Sequence, residues 1–335
     1  MEPRTTFRAY AKINLCLSVG APIPEGPTAG FHPIASWMQC IDLYDEVRIH
    51  RLPRGESSYS VRWAEDAPRP TPIDWPIEKD LAVRAHRAFE AAVREAFALD
   101  IPVAIEVIKR IPAGAGLGGG SSDAAAVLLG LLEQGPHDLP RELLLKLCAA
   151  LGSDVAFFAD TDRREDVPRP ALVTGLGDQI RRVDPVAGDI VLIIPPYACA
   201  TGPVYKAFDQ ILEERRAKEA AERAARGLAG REKQTGPKET LVEARWKRMA
   251  SPGTLEGDHL FNELALAAYR VEPRLGRLVT ALSNATRQQA HVTGSGSCVF
   301  IPSTPDRTDR LLERVERLIA AEEFAGTKVV RTRLV

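Results

Sequence analysis

The residues best equipped for chemistry lie in PAGAGLGGGSSDAAAVLLG, Pro112 to Gly130. Between Gly114 and Gly120, only Ala115 and Leu117 are not glycine. A residue without Cβ lets backbone N–H groups turn inward and approach a ligand closely. Ser121 and Ser122 follow, then a run of small aliphatic residues that predicts a helix. Its first turn would aim unpaired N–H groups and the positive end of its dipole at the same point, which suits phosphate. The serine hydroxyls can cap that helix and also reach a phosphate oxygen or a metal-bound water. A turn without a ligand needs one or two glycines, not this many. Gly114, Gly116 and Gly119 also satisfy G-x-G-x-x-G, so an NAD-dependent oxidoreductase is the reading from a different class. A dinucleotide site, however, wants an acidic residue about 20 positions on, closing a second strand, and here EQGPHDLP is a turn before a helix. No lysine follows the glycines as Walker A requires. The loop therefore holds phosphate by backbone and dipole, and any cation comes from elsewhere in the chain.

Five other places carry candidate groups. Asp154 follows Gly152-Ser153 and precedes the apolar run Val155 to Phe158; it reads as a proton acceptor in a drier place, or as the N-cap after a helix break. Lys12 sits in AKINLCLSV among Ile13, Leu15 and Leu17, a strand in which a lysine reads as a surface-facing alternate or as a site cation. Strand periodicity puts Asn14 on the same face. His32 in GFHPIASWMQ and Tyr205 in CATGPVY each have a bland reading, as a loop residue and a half-buried ring. VTGSGSCVF, Val292 to Phe300, is a second glycine loop or a plain hairpin turn.

The elements that must position these groups are mixed. Thr6 to Val19 predicts a strand, Ala21 to Gly30 a Pro/Gly loop, and Ile34 to His50 two strands with a turn near Asp45. Residues 52–77 form a proline-rich excursion with a short strand at Ser58 to Trp63. Helices are expected over Leu81 to Leu99, Ser121 to Leu132 and Pro140 to Leu151, with a strand from Pro102 to Ile108 running into the glycine loop. Short strands start near Val173. Ile211 to Arg231, dense in charge with i,i+4 pairs such as Glu214/Lys218, predicts a solvated helix within an insertion at 211–250. GDHLFNELALAAYR and PRLGRLVTALSNA predict helices, as does Asp306 to Ala325 before a last strand. Irregular mixing in two halves, 1–168 and 169–335, argues for an α+β fold rather than a βαβ series.

The chain's 335 residues, 45% apolar and 27% charged, suffice for a large core. A net charge of −1 disfavours a nucleic-acid or anionic-membrane binder. No apolar run approaches a membrane span or a secretory signal. The five scattered cysteines form no CxxC pair, which suggests neither a disulfide framework nor a zinc site. A cytoplasmic protein, monomer or homodimer, is expected.

PAGAGLGGGSS (Pro112, Ala113, Gly114, Ala115, Gly116, Leu117, Gly118, Gly119, Gly120, Ser121, Ser122) resembles the nucleotide loop of the galactokinase, homoserine kinase, mevalonate kinase and phosphomevalonate kinase superfamily. AKINLCLSV, GFHPIASWMQ, LGSDVAFF and VTGSGSCVF agree in order and spacing with one branch, the 4-diphosphocytidyl-2-C-methyl-D-erythritol kinases. The resemblance implies a two-domain kinase fold with the active site in the cleft between the halves, ATP with Mg2+ on the loop (the metal reached through Ser121 or Ser122), and a small cytidine diphosphate substrate. It implies transfer of the γ-phosphoryl to the 2-hydroxyl in non-mevalonate isoprenoid synthesis. Lys12 and Asp154 would be catalytic. Asn14 would contact the sugar-alcohol, Phe31 and His32 the cytidine, with Tyr205 stacking on the base. Thr293, Gly294, Ser295 and Gly296 would face the substrate diphosphate. A mevalonate- or homoserine-type kinase is the nearer alternative. Asp80-Leu81 stands where the branch commonly has Asn-Leu beside adenine, and APIPEGPTAGFH lacks its usual Arg and Asp.

Overall fold

The first strand fails to alternate because both of its faces are covered. In a computed structural model describing residues 5–134, 140–225, 236–250, 255 and 257–335, β1 (Thr6–Val19) is buried from Ala9 onward. It runs antiparallel to β2 (Ile34–Arg51), a single strand of 18 residues where two and a turn were expected. The turn signal at Asp45 is a bulge. Tyr10 pairs with Tyr44 and Ala11 with Ile41, so Asp42 and Leu43 are surplus in β2, which bends the strand without ending it.

β3 (Ser58–Trp63) lies parallel to β4 (Val103–Lys109), which is antiparallel to β2. β5 (Ala171–Gly175) pairs with the other end of β2 and with β6 (Gln179–Arg182). A second, four-stranded sheet forms around β7 (Asp189–Ile194), whereas β8 (Phe261–Asn262) lies parallel beside β1 in the first. The order in the second sheet is β11 (Lys328–Arg333), β7, β10 (Val299–Ser303), β9 (His291–Val292). Strands from beyond residue 168 thus enter the seven-stranded sheet, which does not end at the 168/169 division expected from sequence.

Helices α1 (Leu81–Phe97) and α2 (Gly119–Gln134) pack together, with α2 against β1 and β2. Ser122 through Leu131 of α2 are all buried, so its small residues answer to close packing. α3 (Arg141–Leu151) stops at Gly152, as the sequence indicates, and the single turn α4 (Val155–Phe158) follows. α5 (Thr201–Ala225) starts ten residues before the expected solvated helix, and its first turns bury Val204, Phe208 and Ile211. Glu214 pairs with Arg270 at 2.9 Å rather than along its own helix. Residues 226–235 of the expected insertion lie outside the described residues. Its remainder, α6 (Glu239–Ala250), is not simply solvated, because Val242 and Met249 are buried against β1 and β2. α7 (Ala265–Val271), α8 (Pro273–Thr286) and α9 (Thr308–Ile319) complete an α+β fold. Among the described residues, no helix is long and apolar enough to cross a membrane.

Asp160 anchors the chain just after α4. It accepts Arg169 Nε, Nη2 and backbone N–H at 2.9, 2.8 and 3.0 Å. Burial pushes its pKa up, but the Arg169 hydrogen bonds and the charges of Arg182 and Arg169 outweigh this and hold it at about 2. An unfolded aspartate titrates near 3.9. The stability from this site is therefore complete above about pH 4 and lost as pH falls towards 2. Thermal melts from pH 5 to 2.5 should fall less steeply for Asp160→Asn than for the wild type; identical slopes would remove Asp160 from the account.

Candidate active site

Strand alternation carries the first two site groups. Lys12, only 3% exposed, points to the same face of β1 as Asn14, and its Nζ donates to Asn14 Oδ1 at 2.6 Å. Asn14 is fixed in turn by donating from Nδ2 to Ser36 Oγ at 2.8 Å. Asp154 occupies the N-cap position of α4, yet its side chain makes no capping bond. Its carboxylate turns instead to Lys12, with Oδ2 3.3 Å from Nζ. The ammonium and the carboxylate, far apart in the chain, therefore meet. The Asp154 side chain remains 25% exposed against 4% for Lys12, so the carboxylate is the more open member of the pair.

The glycine loop is hung on the same strand. Lys12 N–H donates to Leu117 O at 2.9 Å, and Cys298 N–H donates to Ala115 O at 3.1 Å. The second glycine loop thereby lies against the first. Asn14 N–H donates to Thr293 Oγ1 at 3.0 Å. Gly116 has φ +78°, and a Cβ there would stand 2.3 Å from Thr293 O. Both the left-handed backbone and the approach of a carbonyl demand glycine. Gly116→Ala should cost about 3 kcal/mol or more, read as a fall in melting temperature together with weakened ATP binding; an unchanged melt would mean that the two loops are not in register.

A cleft of about 800 Å³ opens over this junction. Lys12, Asn14, Asp154, Pro112 through Ser121, Tyr205, Gly294 and Ser295 all line it. Ser122 does not; it is buried within α2. Thr293 is fully buried and acts on Asn14 from behind, while Gly296 serves the turn by donating to Thr293 O at 2.9 Å. Phe31 is 61% exposed on its loop, and His32 is buried behind Tyr205, their ring centroids 4.9 Å apart. Trp75, Asp80 and Leu81 also line the cleft. Asp80 is already engaged within the chain, capping α1 through Ala82 N–H and accepting Trp75 Nε1 at 3.1 Å. A neighbouring hollow of about 720 Å³ shares Lys79 and Leu151 with the cleft but none of the loop, Lys12 or Asp154.

Sequence reasoning missed the support beneath the loop. Lys109, the last residue of β4, places Nζ 2.5 Å from both Asp45 Oδ2 and Asp123 Oδ2, and all three are buried. Asp45 also accepts the backbone N–H groups of Arg110 and, at 2.8 Å, Ile111. Burial works against the Lys109 ammonium, but Asp123 and Asp45 reverse this and hold its pKa above the ordinary lysine value. For Asp123, burial dominates the attraction of Lys109, and its pKa is raised well above the usual carboxylate range. Lys109 and Asp123 both reach the cleft wall. The one signal was the position of Lys109, at the point where the strand runs into the glycines. Asn262 was missed too; its amide donates to Val292 O and Gly294 O at 2.8 Å and holds the second loop in place.

Residues 80–161, which carry α1, the glycine loop and Asp154, match the family described as GHMP kinases N terminal domain. The fold extends well beyond that segment: the galactokinase of Lactococcus lactis, solved with galactose, superposes at TM-score 0.60 with 13% identity, covering 98% of this chain and 93% of that one. A solved 4-(cytidine 5'-diphospho)-2C-methyl-D-erythritol kinase superposes at 0.66 with 25% identity over 98% of each chain. In sequence, the 4-diphosphocytidyl-2-C-methyl-D-erythritol kinase of Polynucleobacter asymbioticus is 36% identical over 200 residues, and that match spans 60% of each chain. The kinase of the same name from Thermobifida fusca is 31% identical over 318 residues, 91% of this chain and 89% of the relative. The chain belongs to the 4-diphosphocytidyl-2-C-methyl-D-erythritol kinase family.

Proposed function

We propose that this cleft transfers the γ-phosphoryl of ATP to the 2-hydroxyl of 4-diphosphocytidyl-2-C-methyl-D-erythritol, giving the 2-phosphate and ADP for isoprenoid synthesis. The observation that carries the reading is Lys12 Nζ at 3.3 Å from Asp154 Oδ2 beside the glycine loop. Phosphoryl transfer asks a protein for positioning and charge stabilisation rather than covalent chemistry. The backbone of Pro112 to Ser121 and the N-terminus of α2 receive the ATP phosphates. The partly exposed Asp154 carboxylate accepts the proton of the attacking hydroxyl. Lys12, locked by Asn14, orients that hydroxyl and stabilises negative charge as the phosphoryl group moves.

Tyr205 offers its ring to the cytosine, Phe31 stands exposed on the 21–31 loop, and Gly294 and Ser295 of the second loop face the substrate diphosphate. Mg2+ fits the loop's chemistry, since the metal takes few protein oxygens and relies on phosphates and water. Ser121 is the loop hydroxyl on the cleft wall, and Asp123 Oδ1, buried there, has no hydrogen-bond partner among the described residues. When bound with ATP, the metal neutralises phosphate charge. Among the described residues, no group of three or more His, Cys, Asp or Glu could hold a metal alone. Five free, buried cysteines fit a reducing compartment, the cytoplasm.

Phosphorylation of a panel with Mg-ATP tests the reading. The cytidine compound should be consumed with one ADP formed per product, and mevalonate and homoserine should not. Use of either of those two in its place would transfer the assignment to another kinase of the superfamily.

A further inference from the structure

Behind the cleft wall made by Tyr205, two distant parts of the chain meet. His32 stands on the stem that closes the 21–31 loop, where Gly20 N–H donates to Pro33 O at 2.8 Å. Its Nδ1 lies 3.0 Å from Gly20 O, and its Nε2 lies 3.5 Å from Asp209 Oδ1 on α5. Its ring sits 4.9 Å from the Tyr205 ring and 6.1 Å from Phe208. Tyr205 and Asp209 are i and i+4 on α5, so one face of that helix offers a ring and a carboxylate to the same imidazole.

The His32 side chain is 5% exposed and does not line the cleft. Both ring nitrogens are directed at protein acceptors. A carbonyl oxygen only accepts, so Nδ1 is the donor to Gly20 O, and Nε2 faces the Asp209 carboxylate. Asp209 Oδ1 is buried and has no hydrogen-bond partner among the described residues, so the 3.5 Å approach of His32 Nε2 is the contact that faces it.

We propose that Asp209 and His32 are positioning residues, a pair that ties α5 to the loop stem and sets the Tyr205 ring against the cleft. In this arrangement the His32 imidazole supports the ring that meets the base. The inference rests on the assignment of Tyr205 to the cytidine end of the substrate. Removing the carboxylate leaves a buried nitrogen without its acceptor, and the imidazole that backs Tyr205 is no longer held. Partial loss of base–aromatic stacking corresponds to about tenfold in affinity.

The test uses Asp209→Asn and His32→Gln, singly and together, with Asp209→Glu as the conservative control. The KM for the cytidine compound should rise about tenfold in each single variant and no further in the double, because the two act as one unit. The kcat and the KM for ATP should stay within about twofold, and Asp209→Glu should recover most of the loss. In the ligand-free protein, the Tyr205 ring resonances, assigned through Tyr205→Phe, should move in Asp209→Asn and His32→Gln. An unchanged KM, an equal rise in the KM for ATP, effects that multiply in the double, or unmoved Tyr205 resonances would each overturn the pairing. If the wild type ignores the cytidine compound, the functional reading fails by itself, and the Tyr205 resonances still decide whether the pair positions the ring.

Discussion

Replacing Lys12 with methionine should lower turnover by about 10³-fold, close to 4 kcal/mol on the barrier, while ATP affinity stays within about threefold. The residue's hydrogen bond to the loop is made by its backbone, with Lys12 N–H donating to Leu117 O; methionine leaves that bond intact and keeps the aliphatic stem that lies beside Gly118. What disappears is the ammonium between Asn14 Oδ1 and Asp154 Oδ2. Asp154→Asn should produce a loss of the same order, since the amide keeps the shape but cannot take the proton. The double variant should be scarcely slower than either single one, because the two groups act together. Steady-state kinetics with calorimetric titration of ATP measures all of this. Near-normal turnover in either single variant would remove that residue from the chemistry, and multiplicative losses would show that the two act separately.

The second large effect falls on stability. Asp45→Ala strips a buried ammonium of one carboxylate and leaves the N–H groups of Arg110 and Ile111 without their acceptor, at the point where β4 becomes the glycine loop. Breaking a buried pair by removing one partner typically costs about 3–5 kcal/mol. For a chain of this size that is a fall of order 10 °C in melting temperature. ATP binding should weaken as well, measured below the new transition, because Asp45 holds the root of the loop. Lys109→Met tests the same cluster from the other side: it leaves Asp45 and Asp123 facing each other with no cation between them. A fall of less than about 2 °C for Asp45→Ala would mean that water or a rearranged side chain replaces what the carboxylate supplies.

The two residues differ in how visible they were in the sequence. Lys12 and the glycine loop announce themselves, since a lysine among aliphatics and a glycine-dense segment are both uncommon without a purpose. Asp45 looked like turn punctuation because an aspartate after apolar residues commonly is one. Its true setting depends on a bulge that keeps β2 continuous and on Lys109, which arrives from a strand 64 residues further along the chain. Long-range pairing of that kind leaves no local periodicity to read. The same limit applies to α6, whose charged composition hides the buried Val242 and Met249. It applies again to Phe261 and Asn262, which pattern as helix but pair as a short strand beside β1 because Cys16 and Leu17 offer a free edge there. α3 shows the converse: its amphipathic spacing and the glycine stop at 152 are local signals, and the helix ends where they say.

The most direct measurement follows the phosphorus. With γ-³²P-labelled ATP, magnesium and the cytidine diphosphate methylerythritol, the label should appear in the organic product, one equivalent for each ADP, and a phosphorus–proton correlation should place it on the carbon bearing the 2-hydroxyl. Label that goes to water as inorganic phosphate, or to a different hydroxyl of the same compound, would contradict the placement of Lys12 and Asp154 over that alcohol.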